Sequence, residues 1–333
     1  MKALLYTAPF TLKLEDLPIP ALANGDVLVR VCAVGICGSD VLGYTGTTGR
    51  RIPPLIMGHE AAGVVAELGP GVQDLQVNQR VCFDSTVYCN TCTACANRKF
   101  NRCARREVLG VSVPGMKRHG AMAEYVNLPA HSLHPIPDSL SFRHAAMLEP
   151  LAIGLHAVCR APGLDRKRVL IIGAGTIGLC VLQAVCLQDP REVIVTDLNA
   201  HRLEVARHIG AGVTEIPADY AYEADVTFEA VGIAPTIEAA IRGTQPGGHI
   251  VLVGNAAQCP PVDIQAVVAK ELILAGTYAS GGEYAEALAR LTSGQLNPEP
   301  LISAKMSLED GPLAFDRLQQ GQSPELIKVL LKP

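Results

Sequence analysis

The chain of 333 residues contains no tryptophan, and only 6 phenylalanines and 8 tyrosines. Few large rings are left to line a binding pocket, which favours a polar, polyhydroxylated small molecule over a bulky aromatic one. An excess of positive charge is also missing. Lys and Arg number 28 against 32 Asp and Glu, for a net charge of -4, and no long basic run occurs. Composition therefore gives no support to binding of nucleic acid or of an anionic membrane. The N-terminal stretch MKALLYTAPFTLKLEDLP lacks the long apolar core and cleavage site of a signal peptide, and reads as the start of a soluble cytoplasmic protein. The most apolar run, RVLIIGAGTIGLCVLQAVCLQ, carries three glycines at fixed spacing. It reads as a buried strand turning into a buried helix, not as a membrane span. No internal repeat and no low-complexity tract is present. A disulfide framework is excluded as well, because the 11 cysteines are an odd number in a large chain without a secretion signal.

What is present falls into two rhythms. Residues 1 to about 145 read as short strands separated by Gly, Pro and Asn, among them DVLVRVCAV, HEAAGVVAEL, QRVCFD and AMAEYVNL. From about residue 165, six apolar strand candidates (RVLII, EVIVTD, VTEI, DVTFEAV, HIVLVG and LILAGT) alternate with helical patterns such as HRLEVARHIGA, APTIEAAIRGT and VDIQAVVAKEL. That alternation predicts a parallel sheet with helices on both faces. A further amphipathic helix, EYAEALARLTSG, follows Gly282, and the terminal IKVLLKP reads as a strand returning to the first domain. The expected plan is α/β, with a β-rich domain over 1–148 and 286–333 and an inserted α/β domain over 149–285.

In the second part, Gly173-Ala174-Gly175-Thr176-Ile177-Gly178 lies between a strand and a helix, and Asp197 closes the next strand 19 residues beyond Gly178. A bare G-x-G-x-x-G is common, but this context makes it a dinucleotide fingerprint. Gly173 permits the tight turn, Gly175 lets a pyrophosphate approach the backbone, and Gly178 allows close packing of helix on strand. The helix N-terminus, beginning at Thr176 and Ile177, offers free N–H groups to the phosphates. Asp197 suits a ribose diol and repels a 2′-phosphate, which favours NAD over NADP, while nearby Arg202 softens that preference.

In the first part, Cys89, Cys92, Cys95 and Cys103 follow the spacing C-x2-C-x2-C-x7-C. Four thiolates close a tetrahedral zinc shell and leave no position for substrate, so this is a structural lobe over about 86–106. An iron–sulfur cluster fits less well, because the third gap is long and no proline follows the fourth cysteine. A second set is dispersed: Cys37 in VGICGSD, His59 and Glu60 in MGHEAAG, and Glu149 in MLEPLAIGLH. Mixed sulfur, nitrogen and oxygen ligands with an exchangeable position are the pattern of a catalytic zinc.

GICGSD, GHEAAGVV, the four-cysteine lobe, GAMAEYV, EP followed by GLHA, and GAGTIG occur in that order along essentially the whole chain. This ordered set resembles the zinc-dependent medium-chain dehydrogenase/reductase family, and EPLAIGLHA is similar to its sorbitol, threonine and galactitol-1-phosphate dehydrogenase branch. The resemblance implies a GroES-like catalytic domain and a Rossmann domain with the cofactor in the cleft between them. It further implies a zinc held by Cys37, His59 and either Glu60 or Glu149, the other glutamate holding bound water or exchanging into the shell. Zinc then acidifies the hydroxyl of a secondary alcohol, Ser39 accepts or relays its proton, and a hydride passes to NAD to give a ketone. Dimers and tetramers are common in such a family. Two departures stand out. Many members carry a histidine where this chain has Leu42, so proton exit must end at Ser39 and water or pass through Glu60 or Glu149. The family's GDRV is NQRV at 78–81 here, in a turn.

Tyr44, His119, Arg50 and Arg51 are weaker candidates for substrate contact, the two arginines because they match a phosphate or carboxylate. Two other classes compete. One is a non-enzymatic NAD sensor that grips a partner with the lobe, whose cations are Arg98, Lys99, Arg102, Arg105 and Arg106. The other is a zinc-free quinone-reductase-like relative, which would lack both metal motifs.

Overall fold

A computed structural model describes residues 1–216, 220–321 and 323–333. It resolves into two compact units, Met1–Glu149 with Ser280–Thr292 and Ile302–Pro333, and Pro150–Ala279 with Ser293–Leu301. Among the described residues no helix is long and apolar enough to cross a membrane.

The first unit is built on a mostly antiparallel sheet. Its spatial order is Leu133–Pro135, Arg80–Phe83, Glu60–Leu68, Asp26–Gly35, Lys328–Lys332 and Ile302–Ser307, with Tyr125–Pro129 also paired to Asp26–Gly35. Asp26–Gly35 and Glu60–Leu68 are buried along most of their length, which accounts for their Val- and Ala-rich, nearly unbroken apolar sequences. Val29, Met57, Phe83, Met122, Phe315 and Leu331 are central to the core they share.

Register matters at one end of this sheet. Gly35 lies opposite Glu60 on one side and Leu330 on the other, so the terminal strand of the chain passes beside the Glu60 position. A Cβ on Gly35 would collide with the Glu60 carboxylate, so glycine is the residue that lets this carboxylate lie against the sheet. IKVLLKP is thus a strand of the first unit, Lys328–Lys332, as its apolar pattern predicts.

The second unit is a six-stranded parallel sheet: Arg168–Ile172, Glu192–Thr196, Val213–Glu215, Ala224–Glu229, Thr244–Leu252 and Ile273–Gly276 in chain order. In space they run third, second, first, fourth, fifth, sixth, the doubly wound order in which the chain reverses direction beside the first strand. All six strand candidates of the sequence are present. Leu170, Ile172, Ile194, Ile237, Ile241 and Ile250 belong to one of its cores.

Candidate active site and metal centres

The lobe is organised by its own short-range contacts. Tyr88 stacks on Phe100 with ring centroids 3.9 Å apart, and Cys95 and Cys103 pack beside them. The four sulfurs lie within 4.8 Å of one another, with Cys92–Cys95 at 3.5 Å and Cys89–Cys95 at 3.9 Å. Zinc–sulfur bonds of about 2.3 Å in a tetrahedron separate sulfurs by about 3.8 Å, so the residues present fit zinc without rearrangement. The thiolates also have donors. Cys89 Sγ accepts from Arg105 Nη2 (3.3 Å) and Thr91 Oγ1 (3.6 Å), and Cys103 Sγ accepts from the Cys89 amide (3.5 Å). The Thr91 amide and hydroxyl draw the Cys89 thiol down to about 5. Donors of this kind offset the negative charge of four thiolates.

The dispersed set converges in the first unit. Ligand atoms of Cys37, His59 and Glu60 lie within 4.8 Å of one another. Cys37 is half-buried and Ser39 exposed, whereas His59 and Glu60 are buried. Cys37 caps the helix Gly38–Tyr44, and Asp40, at the third helical position, accepts the Cys37 amide at 3.3 Å. Asp40 is fully buried and its other oxygen lies 3.5 Å from His59 Nδ1 and 2.9 Å from Arg51 Nη2. Burial alone would raise the Asp40 carboxyl, but His59 and Arg51 hold it well below the usual carboxylate range. Burial likewise disfavours the His59 imidazolium, while Asp40 and Cys37 favour it more strongly. A metal ion held by Cys37, His59 and Glu60 would take the place of that proton, because imidazole ligates in its neutral form.

Glu60 has a partner from far along the chain. Lys328 Nζ donates to its two oxygens at 2.9 and 2.6 Å and to the Ile36 carbonyl at 3.0 Å, with both side chains only 1% exposed. Glu149 is placed differently. It is not in the ring of three; its Oε1 accepts from Ser85 Oγ at 3.0 Å, and its buried Oε2 has no hydrogen-bond partner among the described residues. Burial pushes Glu149 up to about 7, with His59 lowering it and Glu60 raising it, which puts the carboxylate within electrostatic reach of the ring. Leu42 is 41% exposed.

The weaker candidates are engaged by the fold in different ways. Tyr44 is buried, donates to the Phe10 carbonyl and Asp316 (both 2.9 Å), and packs on Phe315, so its role is packing. His119 accepts the Ile56 amide at 3.1 Å and lines a mostly apolar cavity of about 260 Å³ with Leu17, Pro18 and Tyr125. Arg51 is turned inward onto Asp40 and Ser39, and only Arg50 of the pair remains exposed. Asp40, Lys328 and Ser85 are site residues that the sequence did not single out. Asp40 carried a signal, as the last residue of GICGSD directly after Cys37; Lys328 and Ser85 carried none.

In the second unit, Gly173 adopts φ +97° and its amide donates to the Thr196 carbonyl at 2.8 Å. That conformation is open to glycine at little cost. A Cβ on Gly178 would strike the Gly173 carbonyl, whereas one on Gly175 would meet open space, and Gly175 caps the helix Thr176–Cys186. The loop therefore combines tight packing at one glycine with free approach at another, which fits a pyrophosphate. Asp197 accepts the Ala174 amide at 2.7 Å and the Asn199 amide at 2.8 Å, so it braces the glycine loop in addition to any ribose contact. The Arg202 amide donates to Asn199 Oδ1.

Comparison with known proteins agrees with this geometry. Residues 23–138 match the alcohol dehydrogenase GroES-like domain, and residues 176–293 match the zinc-binding dehydrogenase domain. The sorbitol dehydrogenase of Bacillus subtilis is 32% identical, covering 100% of this chain and 97% of its own. Galactitol-1-phosphate dehydrogenase of Escherichia coli superposes with a TM-score of 0.90 at 28% identity, covering 100% of both chains. L-idonate 5-dehydrogenase of the same organism superposes with a TM-score of 0.92 at 26% identity, covering 100% of this chain and 98% of that one.

The chain belongs to the zinc-dependent medium-chain dehydrogenase/reductase family, in its polyol dehydrogenase branch. It is a zinc-dependent alcohol oxidoreductase. The partner-binding alternative finds no support, and Arg105, one of its five cations, is turned onto Cys89 and Thr91.

Proposed function

We propose that this protein oxidises a secondary hydroxyl of an unphosphorylated polyol or sugar acid to a ketone, with Cys37, His59 and Glu60 holding the catalytic zinc and the four-cysteine lobe a second, structural one. The observation that carries the reading is the convergence of those three ligand atoms within 4.8 Å on a buried frame. Zinc supplies Lewis-acid acidification of the bound hydroxyl, and NAD accepts the hydride. Ser39, exposed two residues beyond Cys37, relays the hydroxyl proton, passing its own O–H proton to water as it receives the substrate's. Glu149, with Oε2 unpartnered, is the further carboxylate that holds water or substrate near the ring. Lys328 holds the Glu60 carboxylate in place.

The inward turn of Arg51 supports an unphosphorylated substrate, because it removes one of the two cations that a phosphate would use. The relatives' names point the same way in two cases, sorbitol and L-idonate, and the opposite way in one, galactitol-1-phosphate. The experiment is NAD reduction across sorbitol, xylitol, L-idonate and galactitol-1-phosphate. A kcat/KM highest for a phosphorylated member would reject the assignment.

Asp197 is the proposed ribose acceptor and Arg202 its neighbour, with Gly173, Gly175, Thr176, Ile177 and Gly178 forming the pyrophosphate cradle. Asp197→Ala should lower the NAD/NADP preference about 10-fold or more, the scale of one lost charge-assisted contact; an unchanged ratio would leave Asp197 as a loop brace only. Domain limits follow the two compact units, with Glu149 closing the first segment of the catalytic one. We also assign a homodimer or homotetramer. The helix Ile264–Ala269 has no buried residue, and Ile264, Val268 and Ile273 are more than half exposed beside the unpaired edge of the parallel sheet. Light scattering that gives a monomer would remove it. Four thiolate ligands persist best in a reducing compartment, which supports a cytoplasmic location.

A further inference from the structure

We propose that Arg51 is a positioning residue of the catalytic metal site, holding Asp40 and, through it, Cys37 and His59, while orienting the Ser39 hydroxyl. The inference rests on the dehydrogenase reading above and extends it to a residue outside the ligand set. The Arg51 side chain is 4% exposed and its main partner, Asp40, is 0% exposed. One nitrogen, Nη2, donates to both Asp40 Oδ1 (2.9 Å) and Ser39 Oγ (3.3 Å), while Nη1 donates to the Arg50 carbonyl (3.2 Å).

Asp40 reaches both sides of the ring, accepting the Cys37 amide on one oxygen and facing His59 Nδ1 with the other. A carboxylate buried this deeply, and shared by two ligands, needs a cation that does not come and go. A guanidinium keeps its charge at any working pH, and its plane fixes the direction of both Nη2 hydrogens, whereas an ammonium rotates freely on its stem. The helix Gly38–Tyr44 has made room for it: a Cβ on Gly43 would strike Arg51 Cγ, so a residue that helices disfavour stands where the arginine stem passes.

The contact to Ser39 adds a directional effect. Ser39 Oγ accepts from a donor that cannot take its proton, so the hydroxyl's own O–H is left to point at another acceptor. With Leu42 where many members of the family carry histidine, that position offers no imidazole to orient Ser39. Arg51 supplies that orientation.

The test uses the full-length, zinc-loaded protein. Arg51→Met should weaken zinc at the Cys37 ring by about 10–100-fold in competition with a chromophoric chelator, leaving the lobe zinc in place. After replacement of the catalytic zinc by cobalt, the visible absorption of the variant should shift. Wild-type affinity together with an unchanged cobalt spectrum would overturn the proposal. If Arg51→Met does not fold, Arg51→Lys carries the same measurements: it keeps the charge but not the fork, and should recover zinc affinity more fully than kcat. A lysine variant equal to wild type in both would also overturn it. Failure of the dehydrogenase reading is separable, since wild type itself would then lack a second zinc or alcohol-dependent NAD reduction.

Discussion

The two proposed metal centres are built on opposite plans. The four sulfurs of the lobe come from 15 consecutive positions, Cys89 to Cys103, and their donors from that stretch and from Arg105 just beyond it. The proposed catalytic ring would take three ligands from Cys37 to Glu60, and its support comes from Asp40, from Arg51, and from Lys328 on the last strand. The first plan closes the shell with four like ligands and leaves no room for substrate. The second mixes ligands, half-exposes Cys37, and depends on the whole unit being folded. A closed centre is local and steadying, whereas an open centre must be held by distant parts of the molecule.

Paired substitutions are the strongest way to break this contrast. Cys37→Ser or His59→Ala should lower alcohol-dependent NAD reduction by about 10³-fold or more, the rate equivalent of several kcal/mol of Lewis-acid stabilisation. The folded state should survive, judged by circular dichroism, and residual activity near wild type would remove the ring from the chemistry. Lys328→Met comes next. In the metal-stripped protein it strands the Glu60 carboxylate without a buried cation and should cost about 3–5 kcal/mol in denaturant unfolding; Glu60→Gln in the same chain should return part of it. A Lys328→Met protein as stable as wild type would mean that the ring is not held from the terminal strand.

Cys95→Ser in the lobe should act more mildly on the reaction. Activity is expected to fall less than about tenfold, while protease cutting within 86–106 increases as the segment loses its zinc. A loss equal to that of Cys37→Ser would erase the distinction between the centres. The smallest effect is electrostatic. Burial raises Asp84, two residues from the start of the lobe segment, to about 8, with Glu149 and Glu283 adding to it. The folded protein thus holds a proton that the unfolded chain releases above its ordinary value of 3.8, so this group lowers stability as pH rises from there to about 8. Asp84→Asn should raise Tm by about 2–4 °C at pH 8, and the gain should shrink toward pH 4. A gain that is constant with pH would point to packing instead.

The same contrast explains what could be read from the residues alone. The parallel sheet, the glycine loop and the lobe announce themselves because strand periodicity, G-x-G-x-x-G and cysteine spacing are all local patterns. Cys37, His59 and Glu60 were found through an ordered set of short motifs. Lys328 was not, since 268 positions separate it from Glu60 and nothing in KVLLK marks its lysine as buried. Arg51 was read as a surface cation for substrate, because its inward turn depends on the gap left by Gly43 and on the depth of Asp40. Glu60 and Glu149 looked equivalent in sequence, and only the strand register opposite Gly35 and the Ser85 contact set them apart.

The central claim is that one zinc serves the reaction and the other the fold. Stepwise removal of metal by a chelator, with zinc and activity measured on the same samples, tests it directly. Two zinc ions per chain are expected at the start, with activity falling to zero in step with the first ion lost from the open ring and recovering when that ion is restored. Full activity after loss of the first ion, or inactivation that tracks loss of the lobe zinc, would contradict it.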